Sequence, residues 1–196
     1  GTLRDSLLGL ALAALLAIPA GILIGMIPAL ERAVAGLVDF GRSFPIIALL
    51  PILVLLFGAT ALMKVIAITI ACFFPILLQT IQGARRLEAT MEETVRAFRI
   101  PFGLRFARVL LPAAGPFIAT GLRIATTVAI LVSVGVEIVT LTEGLGSQIA
   151  LSRSYNEVPV AFAFIIYAGL LGILANAAFD WIERRLLGWH LRSATE

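Results

Sequence analysis

The sequence predicts an all-α membrane protein with about five transmembrane helices and a cytoplasmic helix–turn–helix between the third and the fourth. Three observations predict it. The chain is 60% hydrophobic and 14% charged, whereas soluble domains are about 45–50% apolar and about 25% charged. Its apolar residues fall into runs long enough for a hydrocarbon core, which takes about 20 residues to cross. Between 85 and 112 those runs are interrupted by six arginines and three glutamates, a density of charge that hydrocarbon does not accommodate. The 196 residues form a single domain, 1–196, with a net charge of +3. That charge is too small and too scattered to indicate nucleic acid as a partner; the bilayer is the partner composition implies.

The first span is expected from about Ser6 to Leu30. Ala13, Ala17, Gly21 and Gly25 recur every four residues and make a narrow ridge that lets another helix approach closely in lipid. The ridge serves packing within the chain or a seam between subunits. Pro19 and Pro28 predict kinks or a frayed end. Glu31–Arg42 reads as a short polar connection. Phe44–Phe57 is apolar but short, and Pro45 and Pro51 interrupt it. It begins nearer Leu37, or it is a broken or re-entrant segment. After a turn at Gly58, the third span runs from Leu62 to Ala84 with Pro75 inside it. The fourth follows from Phe117 to about Thr140. A polar loop from Leu141 to Pro159 leads to the fifth, Val160–Leu187, which ends on a basic aromatic foot with Trp189 and His190 as an interface anchor.

Topology follows from the cations. Eleven arginines, at 32, 42, 85, 86, 96, 99, 105, 108, 184, 185 and 192, fall on one side if the interruption, the 31–42 connection and the C-terminus share it. Arg4 and Arg153, with Lys64 near the edge, fall on the other. The interruption and the C-terminus are therefore expected in the cytoplasm. The first residue is then outside. With no initiator Met and no signal-type n-region before Leu7, a further natural N-terminal helix is expected upstream.

Within the interruption Leu87, Met91, Val95 and Phe98 make one apolar stripe on a helix. Glu92 and Arg96 pair favourably on another face. Pro101 ends that helix, and Phe102, Phe106 and Val109 give a second short amphipathic piece. The residues leave two readings open: a solvated surface loop held by its own charge pairs, or a docking element for a cytoplasmic protein. Inside the spans, Arg123 is a helix-pairing cation or a contact for an anionic solute. Glu137 faces a translocation path or pairs with Lys64. Asp180 and Glu183 are expected to pair with Arg184 or Arg185. Cys72 reads as a small buried hydrophobe. One histidine leaves no Ser–His–Asp set, and no cluster has metal-ligand spacing; neither catalytic residues nor a metal are expected.

Here the sequence resembles the transmembrane subunits of binding-protein-dependent ABC importers. Their cytoplasmic loop reads Glu-Ala-Ala, three residues, Gly, nine residues, Ile, one residue, Leu-Pro. On this chain Glu93-Thr94-Val95 takes the first place, Arg99 the glycine place, Val109 the isoleucine place, and Leu111-Pro112 closes the motif. Thr94 and Val95 replace alanines and Arg99 replaces the glycine, with Ile100-Pro101 at hand to supply the break. Arg42-Ser-Phe-Pro45, Leu49-Leu-Pro51, Phe73-Phe-Pro-Ile76, Gly121-Leu-Arg123, Glu137, Gly144-Leu-Gly146 and Glu183-Arg-Arg resemble the branch that imports nitrate, sulfonates, taurine and related small solutes.

The resemblance implies a permease subunit in a bacterial plasma (inner) membrane, multi-pass, without its own ATPase site and without a bound cofactor. ATP would be held by cytoplasmic ABC ATPase subunits that dock on Glu92, Glu93, Thr94, Val95, Arg96, Phe98, Arg99, Ile100, Pro101 and Gly103. A second copy would complete the path, and a periplasmic or surface solute-binding protein would deliver the solute. Arg123 and Glu137 are the candidate path residues. The phosphate-loop motif is absent from the sequence, whose single lysine, Lys64, follows Met63. An ion-coupled secondary transporter would instead require paired repeats of broken helices with a midplane carboxylate relay, and the sequence has no convincing internal repeat. A non-transporting membrane scaffold would keep the docking loop without polar groups in the spans.

Overall fold

The computed structural model describes residues 1–97 and 110–186, with backbone alone for 86–97 and 186. The described residues form seven α-helices. They are α1 Thr2–Met26, α2 Pro28–Ser43, α3 Leu50–Phe57, α4 Ala61–Ala97, α5 Leu111–Thr140, α6 Leu145–Ser154 and α7 Val158–Leu186. A short 3₁₀ turn, Ile46–Leu49, precedes α3. Four stretches, Thr2–Met26, Ala61–Arg85, Leu111–Ser154 and Val158–Arg185, are long and apolar enough to cross a membrane, and the bent pair Pro28–Ser43 and Ile46–Phe57 makes a fifth.

Prolines set the breaks. Ile27 precedes Pro28 and is extended at φ −120°, ψ 96°, the conformation that a following proline imposes. Pro28 then opens α2, where its missing N–H costs nothing. The same rule works at Phe44, extended before Pro45, and the chain turns by 85° between α2 and the Ile46–Phe57 segment. Gly58 stops α3 at φ 68°, ψ 174°, a region that essentially only glycine enters.

The core is a three-helix layer of α1, α4 and α5. Ala13 and Ala17 are fully buried, and the ridge they belong to lies against α4. A Cβ added at Gly9, Gly21 or Gly25 would meet Ile68, Thr80 or Ala84 respectively. Each partner lies 59 positions further along the chain, and a constant offset means that the two helices run parallel. The ridge is thus spent on packing within the chain. Parallel packing also settles the broken segment. Had α2 and α3 formed a re-entrant loop, α4 would run antiparallel to α1; the chain must instead return from the far end of α1 to its near end, so α2 and α3 together make one bent crossing. Helix α5 runs antiparallel to α4, with Gly121 against Gln79 and Ile76, Gly83 against Phe117, and the Cys72 Sγ donating to the Ala125 carbonyl at 3.3 Å.

Four segments differ from the expectation. Glu31–Arg42 is the body of helix α2 and not a connection. Its apolar residues recur at helical spacing, Val38 is buried, and Glu31 pairs with Arg85 at 3.1 Å. The third span does not end at the charged interruption: α4 continues to Ala97, because the sequence offers no glycine or proline between Arg85 and Ala97 to stop it. At about 1.5 Å per residue, α4 is about 55 Å long against a hydrocarbon core of about 30 Å. The loop 141–159 contains α6, a helix in its own right. The fourth span also starts early, at Leu111, with Pro112 in its first turn.

Helix α7 lies at the edge of the bundle, against α5 and α6. None of its most apolar window is buried within the chain, and Phe162, Ile166, Leu170, Ile173 and Leu174 are all exposed.

Candidate functional site

At the end of the molecule where α1 and α4 begin and α5 finishes, three ionised side chains are buried together. Lys64 is 1% exposed, Asp5 5% and Glu137 0%. The Lys64 ammonium donates to Asp5 Oδ2 at 2.5 Å, Glu137 Oε1 at 2.8 Å and the Glu143 carbonyl at 2.9 Å. An ammonium has three donors, and all three are used. Glu137 Oε1 also accepts from Ser133 Oγ at 3.1 Å. Its Oε2 accepts from Thr2 Oγ1 and from the Gly146 N–H, both at 2.9 Å. A carboxylate offers about four acceptor positions, and the protein fills all four.

The local sequence explains the geometry. Ser133 lies one turn before Glu137 on α5, so its hydroxyl is in reach. Leu141 ends α5 in the left-handed conformation, φ 56°, which turns the chain back over its own end. Gly144 and Gly146 then pass directly over Glu137: a Cβ at Gly144 would fall on the carboxylate, and one at Gly146 would lie 2.7 Å from Glu137 Cβ. Ser147 closes the first turn of α6 by donating to the Gly144 carbonyl at 2.8 Å and accepting from its N–H at 3.2 Å. The Leu145 N–H donates to Thr2 Oγ1 at 2.9 Å. The spacing had offered Lys64 as a partner for Glu137; Asp5, Thr2 and the Gly146 N–H were missed. The Ser133–Glu137 spacing was the one local signal, since the others depend on the register of α1 against α4.

The second cluster lies at the opposite end, between α5 and α7. Arg123 donates to Asp180 Oδ1 at 2.9 Å and to Glu183 Oε2 at 2.5 Å. One turn up, Thr127 and Asn176 exchange hydrogen bonds at 3.1–3.2 Å. Arg123 is a helix-pairing cation, about half exposed, and it takes the two carboxylates that had been assigned to Arg184 and Arg185. Arg185 lies over the Trp181 ring at 4.3 Å.

The third feature is a cavity of about 550 Å³ at the bend of the broken span, walled by Phe40, Phe44, Leu49, Phe74 and Val132. Arg42 stands at its edge, its Nε bonded to Asp39 at 2.9 Å. Of the coupling residues, Glu92, Glu93, Thr94, Val95 and Arg96 lie on the last turns of α4. Phe98, Arg99, Ile100, Pro101 and Gly103 lie outside the described residues, as do Trp189 and His190. Among the described residues no group of three or more His, Cys, Asp or Glu could hold a metal ion.

Comparison with known proteins agrees with this architecture. A family model described as the inner membrane component of binding-protein-dependent transport systems matches residues 17–188. The chain is 30% identical over 192 residues to a probable ABC transporter permease protein of Brucella abortus, covering 98% of this chain and 77% of that one. It is 30% identical over 193 residues to a putative aliphatic sulfonates transport permease protein of Bacillus subtilis, covering 96% and 70%. Its fold is similar to a solved inward-facing structure of the MetNI methionine ABC transporter, with a TM-score of 0.80 at 22% identity, covering 94% of this chain and 92% of that one.

Proposed function

We infer how this chain works from the premise that it belongs to the inner membrane components of binding-protein-dependent transport systems, as the translocation subunit of an ATP-driven importer. Cytoplasmic ATPase subunits hold the ATP and dock on the segment from Glu92 to Gly103. The observation that carries this reading is the continuity of α4, which runs as one helix from the buried Lys64 to Ala97. A partner that grips the far end of a continuous helix moves the core directly, which a flexible tether would not allow.

A second copy of the chain completes the path; the uncovered apolar residues of α7 face the hydrocarbon that such a span requires. The cations support a cytoplasmic side for the start of α2 at Arg32, the 85–112 segment and the C-terminus. A solute-binding protein delivers its cargo at the opposite face. The similarity to a sulfonate permease favours a small organic anion as cargo; Arg123, paired with Asp180 and Glu183, serves the α5–α7 seam. Glu137, with every acceptor position filled, supports the path wall from behind.

Co-purification tests the docking. The chain, co-expressed with candidate ABC ATPase subunits, is expected to carry its cognate ATPase through purification. Glu93→Lys is expected to cut uptake about tenfold or more, the scale of a coupling worth about 1–3 kcal/mol. Undiminished ATPase binding and uptake in that variant would overturn the assignment.

A further inference from the structure

The buried core at Lys64 does more than pair charges: it joins four helices. Asp5 and Thr2 belong to α1, Lys64 to α4, and Ser133 and Glu137 to α5. The Gly146 and Leu145 N–H groups belong to α6. Helix α6 also buries Ser152 and half-buries Ile149 and Ala150, while Leu151, Ser154 and, just beyond the helix, Tyr155 are exposed; the charge core supplies its polar attachment. Its register is fixed where two backbone N–H groups point into the Glu137–Thr2 pair and two glycines let it sit there. At the opposite end of the same body, Arg85 on α4 pairs with Glu31 on α2, and α4 goes on to Ala97. Between the two ends, the glycine ridge holds α1 to α4 and leaves no slack for one to slide past the other.

We propose that Lys64 and Glu137 are positioning residues of the transport cycle, which fasten α6 to α1, α4 and α5 so that movement imposed on the 85–97 end of α4 is delivered to α6 at the opposite face. The inference rests on the reading that an ATPase engages the segment beyond Arg85. A carboxylate is required at 137 because donors approach both of its oxygens. An amide there supplies one oxygen and sets an N–H₂ against the remaining donors.

The test uses the importer complex, permease with its ATPase, in lipid nanodiscs. Amide hydrogen exchange is followed at 145–154, at 65–72 and at 126–136, with and without ATP and vanadate. In the wild type, nucleotide trapping is expected to change exchange at 145–154. In Glu137→Gln, exchange at 145–148 is expected to rise about tenfold, as a local opening of α6 would require, with the nucleotide response at α6 lost and 65–72 unchanged. Thr2→Val, which removes only the hydroxyl shared by Glu137 and Leu145, is the second variant if Glu137→Gln fails to assemble, and the same change in smaller measure is expected. The inference is overturned if these variants keep the nucleotide response at α6, or if exchange rises equally at 65–72 and 126–136, since the core would then only stabilise the bundle. A wild-type response confined to the 61–97 half of the complex overturns this inference alone. A wild type that responds nowhere removes the docking reading as well.

Discussion

Lys64 and Glu137 show how a membrane-buried charge is made tolerable. Each is surrounded by as many partners as its chemistry can use, and among the described residues no buried side-chain nitrogen or oxygen lacks a partner. Such a network is costly to break from one side. Lys64→Met leaves Asp5 and Glu137 facing each other without a cation, and stability is expected to fall by about 3–5 kcal/mol. Neutralising all three, as Lys64→Met with Asp5→Asn and Glu137→Gln, is expected to recover part of the loss, because no buried charge is then left unpaired. Thermal unfolding of the purified variants checks both, and a single Lys64→Met as stable as the parent would show that water reaches the site. The pairing of Lys64 with Glu137 could be read from the sequence, since both lie near the same ends of their spans. The third member could not: Asp5 enters only because α1 is parallel to α4, and register between helices is a matter of side-chain fit that no single span encodes. The same limit explains Arg123. Its partners Asp180 and Glu183 sit beside Arg184 and Arg185 in the chain, but a helix turns neighbours onto different faces, and Arg123 reaches the carboxylates across the α5–α7 seam.

At the level of elements, the small-residue ridge of α1 has a strict requirement for space. A Cβ at Gly21 would lie 2.6 Å from Thr80 Cβ, and both lie in the packed α1–α4 seam. Gly21→Leu is expected to cost about 1–3 kcal/mol or more, as overpacking does, and to reduce the yield of folded protein. Leu15→Ala, on the outward face of the same helix and 70% exposed, is expected to stay within about 0.5 kcal/mol. Equal effects of the two substitutions in a thermal-shift comparison would mean that the ridge is not the contact face. Long apolar spans were legible because the bilayer imposes length and composition on them together. Most helices that carry charge were not. Hydropathy reads α2 and α6 as connections and ends the third span at the charges, although the stripe of Leu87, Met91 and Val95 marked a helix beyond them; what decides all three is the position of helix breakers. Pro28 and Pro45 bracket α2, no glycine or proline falls between Arg85 and Ala97, and Gly144 opens α6.

Taken as a whole, the molecule has two unlike ends. One is closed by a buried charge core; the other is held to α7 by exposed polar contacts, which are worth about 0–1 kcal/mol each. Arg123→Glu would gather three carboxylates at that seam and is expected to impair uptake with little loss of thermal stability. Adding Glu183→Arg is expected to restore uptake in part, and failure of the pair to restore any would argue against a helix-pairing role. The ends also define the sidedness of the protein. Helices α1 and α4 start at the same face, the bent α2–α3 segment makes the return crossing between them, and α5 and α7 alternate thereafter. Arg32, at the start of α2, and Tyr155, just after α6, therefore lie on opposite faces. Both are exposed, Tyr155 at 73%. In intact cells a membrane-impermeant maleimide is expected to label Tyr155→Cys in a Cys72→Ser background, and to label Arg32→Cys only after the membrane is opened. The reverse pattern would invert the topology and carry the 85–112 segment away from any cytoplasmic ATPase. Labelling of both from outside would instead mean that α2 and α3 do not cross, which the parallel register of α1 and α4 forbids.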